Sequence, residues 1–136
     1  MWKSCRNFNL KEFRCECNGK YCTGYPVVLN TNLLVYLQAI RNDLKVATGI
    51  TSGIRCSKYN NSLPGSIKDS KHTKGKAVDF YNSKTNTLAS RKNIINKYMK
   101  NKYATYGYCN HYYKSRWGSG SVSASYMGTS IHIDVA

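Results

Sequence analysis

Asp79 lies between Val78 and Phe80 in the segment KAVDFYN, and no other feature restricts the fold as tightly. In an extended segment alternate side chains share a face, so Ala77, Asp79 and Tyr81 point one way and Val78 and Phe80 the other. Burying the apolar side presses the carboxylate against protein as well. A buried polar group without a hydrogen-bonding partner costs roughly 2–7 kcal/mol, and a bare charge costs more. The fold must therefore bring a cation, a metal or several N–H donors to Asp79. The ending IHIDVA repeats the pattern: His132 and Asp134 share one face, and Ile131, Ile133 and Val135 share the other. Paired strands lie about 4.8 Å apart, so two such strands in one sheet would bring their polar faces together.

A third group stands just before the first strand, His72 in SKHTKGKAVDF. The chain has three histidines and six acids against 21 Lys and Arg. Two imidazoles and one carboxylate are a donor set suited to zinc, which in catalytic sites takes three protein ligands and leaves a position for water. Water at such an ion titrates near neutrality. Spacing alone also allows Asp79 to be paired with a Lys or Arg and His132 to be a hydrogen-bonded core histidine.

At 136 residues one domain is expected, residues 1–136, with a Cys-rich lead-in over residues 1–26. Leu33, Leu37, Ile40 and Leu44 recur at helical spacing from Thr31 to Val46, with Thr31 or Asn32 as cap and Gly49 beyond the end. GITSGIRC (49–56) reads as a strand and the polar stretch 57–75 as a long ordered loop. A second helix is expected from Thr87 to Asn101 with Leu88, Ile95 and Met99 inward. YATYGYC (103–109) is a strand, WGSGSVSASYMGTS a flexible-looking loop, and SIHIDVA a final strand. The expected fold class is α+β: a small antiparallel or mixed sheet flanked by helices.

No apolar run is long enough for a transmembrane helix, and the start MWKSCRNFNLKEF shows no secretory signal. The net charge of +15 is spread along the chain. It suits a solvated surface or a polyanionic partner: nucleic acid, an anionic membrane or an acidic wall polymer. Six cysteines remain open to three readings. They are free thiols, disulfides, or a metal knuckle in CECNGKYC (15–22) with Cys5 or Cys56 as fourth ligand.

Ser70-Lys71-His72-Thr73-Lys74-Gly75-Lys76-Ala77-Val78-Asp79 resembles the SxHxxGxAxD signature of zinc D-Ala-D-Ala carboxypeptidases and related peptidoglycan endopeptidases. The same group includes lysostaphin-type enzymes and the hedgehog fold. His-Ile-Asp-Val at 132–135 resembles the family's last ligand strand, ITSGIRCSKYN its "SGYR" strand and turn, and NLKEFRCEC the opening of its phage and bacterial branch. The resemblance covers the chain from about Asn7 onward.

It implies one zinc ion held by His72, Asp79 and His132. It implies that Arg55 faces the substrate and steadies the oxyanion or the peptide carbonyl, and that Ser70 hydrogen-bonds substrate. Arg55 also suits a structural tie to the 57–75 loop, and Ser70 a cap. Several members carry Glu or Asp three residues before the final histidine, where this chain has Thr129. Asp134 and His111 are the remaining candidates for general base. Asp134 suits equally a role orienting His132, and His111 a surface position among tyrosines. Trp117 and the tyrosines near 106–113 are candidates for the cleft wall.

The implied activity is hydrolysis of peptidoglycan stem peptides, as a carboxypeptidase or an endolysin-type endopeptidase. The expected partner is bacterial peptidoglycan, with anionic wall polymers attracted by the positive charge, no specific nucleic acid, and a monomeric state. The expected place of action is the bacterial cell wall, after synthesis in a host cytoplasm and release by another factor, as for a phage lysin. The competing class is a metal-holding but inactive relative that binds the wall. A nucleic-acid binder would rest on charge alone and leaves the His72, Asp79, His132 pattern without a cause.

Overall fold

Period-2 alternation in the strands and 3.6-residue periodicity in the helices sort this chain into a helical layer and a sheet. The computed structural model describes residues 5–136. The first four residues of the Cys-rich lead-in, and of the stretch read for an export signal, lie outside the described residues. After a 3-10 turn at Leu10–Phe13 come helix α1 (Thr31–Leu44), strand β1 (Gly49–Ser52), helix α2 (Ser57–Ser62) and strand β2 (Ala77–Tyr81). Helix α3 (Leu88–Tyr98), strands β3 (Ala104–Cys109), β4 (Tyr112–Ser115), β5 (Gly118–Gly120) and β6 (Ile131–Val135) complete the order. All pairings are antiparallel, in the order β1-β2-β6-β3-β4-β5. The fold is α+β, as expected. Among the described residues no helix is long and apolar enough to cross a membrane.

The helices are specified locally. Asn30 Oδ1 accepts hydrogen bonds from the amides of Asn32 (2.8 Å) and Leu33 (3.3 Å), so the cap of α1 lies one residue before the expected Thr31 or Asn32. The helix stops where Lys45 turns left-handed at φ 57°, which frees Gly49 to open β1 instead of ending α1. Thr87 caps α3 through Ser90. Leu33, Leu37 and Ile40 of α1, Ile94 and Ile95 of α3 and Met99 at its end pack with Val78, Phe80, Ile131, Ile133 and Val135. Leu88, expected inward, shares the face of Ile95 but is 37% exposed at the first residue of the helix, whereas Ile94 is buried.

One sheet face is therefore core, and the other carries Asp79, His132 and Asp134. The stretch expected as a loop over 57–75 instead holds α2 and a 3-10 turn at Lys71–Lys74. Both are stabilised by polar side-chain contacts that leave no apolar period. β4, β5 and a 3-10 turn at Ser125–Met127 likewise lie where a helix-strand pattern is absent from the sequence.

Candidate active site and metal centre

Strand register builds the site. Asp79 of β2 stands directly opposite His132 of β6, and His132 stands opposite Tyr108 of β3, so the three form one row across the sheet. Ser70 caps the 3-10 turn that delivers His72: its Oγ accepts from the His72 amide at 3.3 Å. Gly75 ends that turn at φ +67° and leads directly into β2.

The three side chains meet in the buried floor of a cleft of about 790 Å³. His72 Nε2 lies 3.2 Å and His132 Nδ1 2.9 Å from Asp79 Oδ1. One ligand atom from each residue lies within 4.8 Å of the other two. The far side of each ring is already assigned. His72 Nδ1 donates to the Gly53 carbonyl at 2.8 Å, which can only accept, so the neutral ring would present its Nε2 lone pair to a metal. His132 Nε2 donates to Asp134 Oδ2 at 2.8 Å, so the cleft side of the ring is Nδ1. These are the outer contacts that fix tautomer and direction in metal-binding histidines. The donor set, two oriented imidazoles and a carboxylate oxygen, fits a zinc ion.

Without an ion, the electrostatics are those of a closed hydrogen-bonded cluster. Burial pushes the Asp79 carboxyl upward, but the charge of His72 and hydrogen bonds from both histidines win and hold it well below the usual carboxylate range. Burial pulls His132 downward, but its bonds to Asp134 and Asp79 and their charges lift it to about 9. Without an ion, a proton on His132 is what reconciles two carboxylates facing one ring.

Asp79 Oδ2 faces Arg55, whose Nη2 is 3.5 Å away. Arg55 is itself held: Nε donates to Ser52 Oγ (3.0 Å) and Nη1 to Asn60 Oδ1 (3.1 Å). A bulge between Ile50 and Ser52 sets Ser52 opposite Asp79 and within reach of that guanidinium. A second bulge, between Ala104 and Tyr106, turns the Thr105 hydroxyl toward Asp134 Oδ1, to which it donates. Lys71 Nζ stands 3.9 Å from the same oxygen and donates to the Val135 carbonyl at 2.6 Å.

A family model described as Peptidase M15 matches residues 6–113. The chain belongs to the Peptidase M15 family. Comparison with curated proteins and with solved structures gives no match. The matched span contains Arg55, Ser70, His72 and Asp79 of this M15 peptidase and ends before His132 and Asp134.

Of the residues singled out in the sequence, Arg55, Ser70, His72, Asp79, His132 and Asp134 all line the one cleft. His111 does not. It sits in the β3–β4 turn at φ 79°, exposed, with its amide donating to the Val122 carbonyl at 2.7 Å. Trp117 is 87% exposed and also stands outside the cleft, at the β4–β5 turn. The cleft wall comes from Tyr106 and Tyr108, the latter with its ring 4.6 Å from that of His132. Tyr108 Oη lies 3.4 Å from Tyr126 Oη.

Three contributors escape a reading of the sequence. Asn60 braces Arg55 from a stretch with no apolar period. The Gly53 carbonyl is backbone and has no residue signature. Glu16 is a half-buried cleft carboxylate, and its placement depends on how the Cys-rich loop folds back. Half of the chain's six acids, Glu16, Asp79 and Asp134, line this cleft, where Arg55 and Lys71 face the latter two.

Proposed function

We propose that this M15 peptidase is a zinc enzyme cleaving peptide bonds in the stem peptides of bacterial peptidoglycan, as a D-Ala-D-Ala carboxypeptidase or an endolysin-type endopeptidase. The observation that carries the reading is the convergence of His72 Nε2, His132 Nδ1 and Asp79 Oδ1, with the opposite side of each ring tied to an acceptor. These residues would hold one zinc ion there, which when bound supplies Lewis acidity toward a scissile carbonyl and toward water.

The chain's own groups do the rest. Arg55, braced by Ser52 and Asn60, presents a permanent positive charge and spare N–H donors to charge developing on the substrate oxygen. Ser70 accepts from the His72 amide and keeps its hydroxyl proton to donate to a substrate carbonyl. Asp134 holds His132 in one tautomer and so acts as a positioning residue. Tyr108 and Tyr126 wall the cleft beside His132 and limit the entry of water. The net charge of +15 draws the enzyme to anionic wall polymers.

A specific observation favours a second reading. Thr129 stands where several members of the resembled family carry an acid, and both oxygens of Asp134 are engaged, by His132 and Thr105. A wall-binding module that holds zinc without turnover would show the same features.

Incubation with purified peptidoglycan separates the two. The enzyme reading expects new amino groups or free D-Ala, abolished by a chelator, restored by zinc, and absent in His132→Ala. Retained zinc and wall binding with no product at any pH would establish the module instead. Salt-sensitive, chelator-indifferent binding to nucleic acid without wall binding would overturn both.

A further inference from the structure

The second convergence of metal-binding side chains lies at a smaller hollow that Arg55 also lines. Cys15, Cys17 and Cys22 come from the N-terminal loop and Cys56 from the start of α2, and their four sulfurs all lie within 4.8 Å of one another. We propose that these four thiols hold a second zinc ion, in a structural four-thiolate centre that ties the N-terminal loop to the segment carrying Arg55. The sequence alone leaves thiols, disulfides and a knuckle open, and offers Cys5 as readily as Cys56 for the fourth ligand. The fold selects Cys56 and sends Cys5 into the apolar core.

Geometry favours an ion over paired disulfides. Sulfurs at the corners of a tetrahedron around zinc, each about 2.3 Å from it, stand roughly 3.8 Å apart. Cys17 Sγ and Cys22 Sγ are 3.5 Å apart, far beyond a disulfide bond of about 2.05 Å. The sulfurs cluster around a common centre, not in two couples. The backbone treats them as acceptors: the Cys56 amide donates to Cys15 Sγ and the Gly24 amide to Cys22 Sγ, each at 3.3 Å. Amide donors to ligand sulfur stabilise the thiolate that a metal needs. Asn18 and Gly19, at φ 56° and 82°, make the reversal that returns the chain from Cys17 to Cys22. Arg55 and Lys74 line the same hollow and offset the two negative charges that four thiolates leave on a divalent ion. On loading, each S–H proton passes to solvent as its sulfur binds the ion, with no oxidant or reductant required.

The consequence reaches the cleft through the chain. Glu16 lies between ligands Cys15 and Cys17, and Arg55 immediately precedes Cys56. Two side chains that line the cleft are thus anchored by neighbours of the same ion.

The test uses the full chain, reduced, stripped of metal and reloaded with zinc or cobalt(II). Its readout is independent of peptidase activity. A His72→Ala/His132→Ala variant should retain one tightly held zinc per chain, and its cobalt form should show intense thiolate-to-cobalt charge-transfer absorption. Cys17→Ser/Cys22→Ser should lose one zinc equivalent and that absorption. If those variants fold poorly, the wild type decides. Zinc-loaded protein should protect four thiols from alkylation that the stripped protein exposes. No thiolate–cobalt band, equal alkylation with and without zinc, or a mass lower by two or four hydrogens from disulfides in the reloaded protein would each overturn the proposal. Loss of hydrolysis with the thiolate centre intact would instead count against the peptidase reading alone.

Discussion

His132 stands between two carboxylates, Asp79 at Nδ1 and Asp134 at Nε2, and this decides how the site responds to pH. Its folded pKa, about 9, lies above its ordinary value of 6.5. In the metal-free protein that proton therefore adds stability below about pH 6.5, and the contribution is lost as pH rises through about 9. A metal must displace the same proton, so zinc affinity at this site should rise from pH 6 toward 9 and then level. The concentration of zinc that half-restores hydrolysis to chelated enzyme reads this directly. In Asp134→Asn that concentration should rise about 10–100-fold, as when an outer partner of a ligand histidine is lost. Unchanged zinc demand with a lost acidic limb in the pH–rate profile would make Asp134 the base instead. Asp79 and His132 are legible in the sequence because a charged residue inside an apolar strand is rare and period 2 fixes its face. Whether Asp134 meets the ring or the water is not legible, because that depends on which nitrogen of His132 it reaches.

At the scale of elements, the short turn that carries His72 is held by backbone that leaves no room for a side chain. Gly75 is left-handed, and a Cβ there would lie 2.2 Å from the Val28 carbonyl oxygen. Its own carbonyl accepts the Asn30 amide at 2.8 Å, which links the turn to the cap of α1. Gly75→Ala should cost about 2–3 kcal/mol through overpacking and strain. A lower denaturant midpoint checks this, and an unchanged one would show that the turn relaxes freely. Helix α1 and strands β2, β3 and β6 are legible from periodicity. The short helix α2 is not, because hydrogen bonds such as Asn60 Nδ2 to the Ile67 carbonyl hold that region, nor are β4 and β5, which are short and fixed by pairing with neighbouring strands.

The whole molecule carries a surplus of 15 positive charges, and its cleft gathers half of the acids. Attraction to an anionic wall and action in the cleft should therefore separate with salt. Retention on intact walls should fall several-fold between about 50 and 500 mM salt, where screening shortens from over 10 Å to under 5 Å. Hydrolysis of a small soluble stem peptide should change little over that range. Equal salt sensitivity of both would place the charge effect in the cleft itself.

Strand β6 follows the other five strands in sequence yet lies inside the sheet, joining β1-β2 to β3-β4-β5. A ribosome-bound fragment that has not yet delivered residues 131–135 has two unconnected half-sheets and lacks His132 and Asp134. The candidate metal centre thus cannot assemble on a nascent product that lacks this strand, and a cell making this protein meets the completed site only after that strand has been inserted.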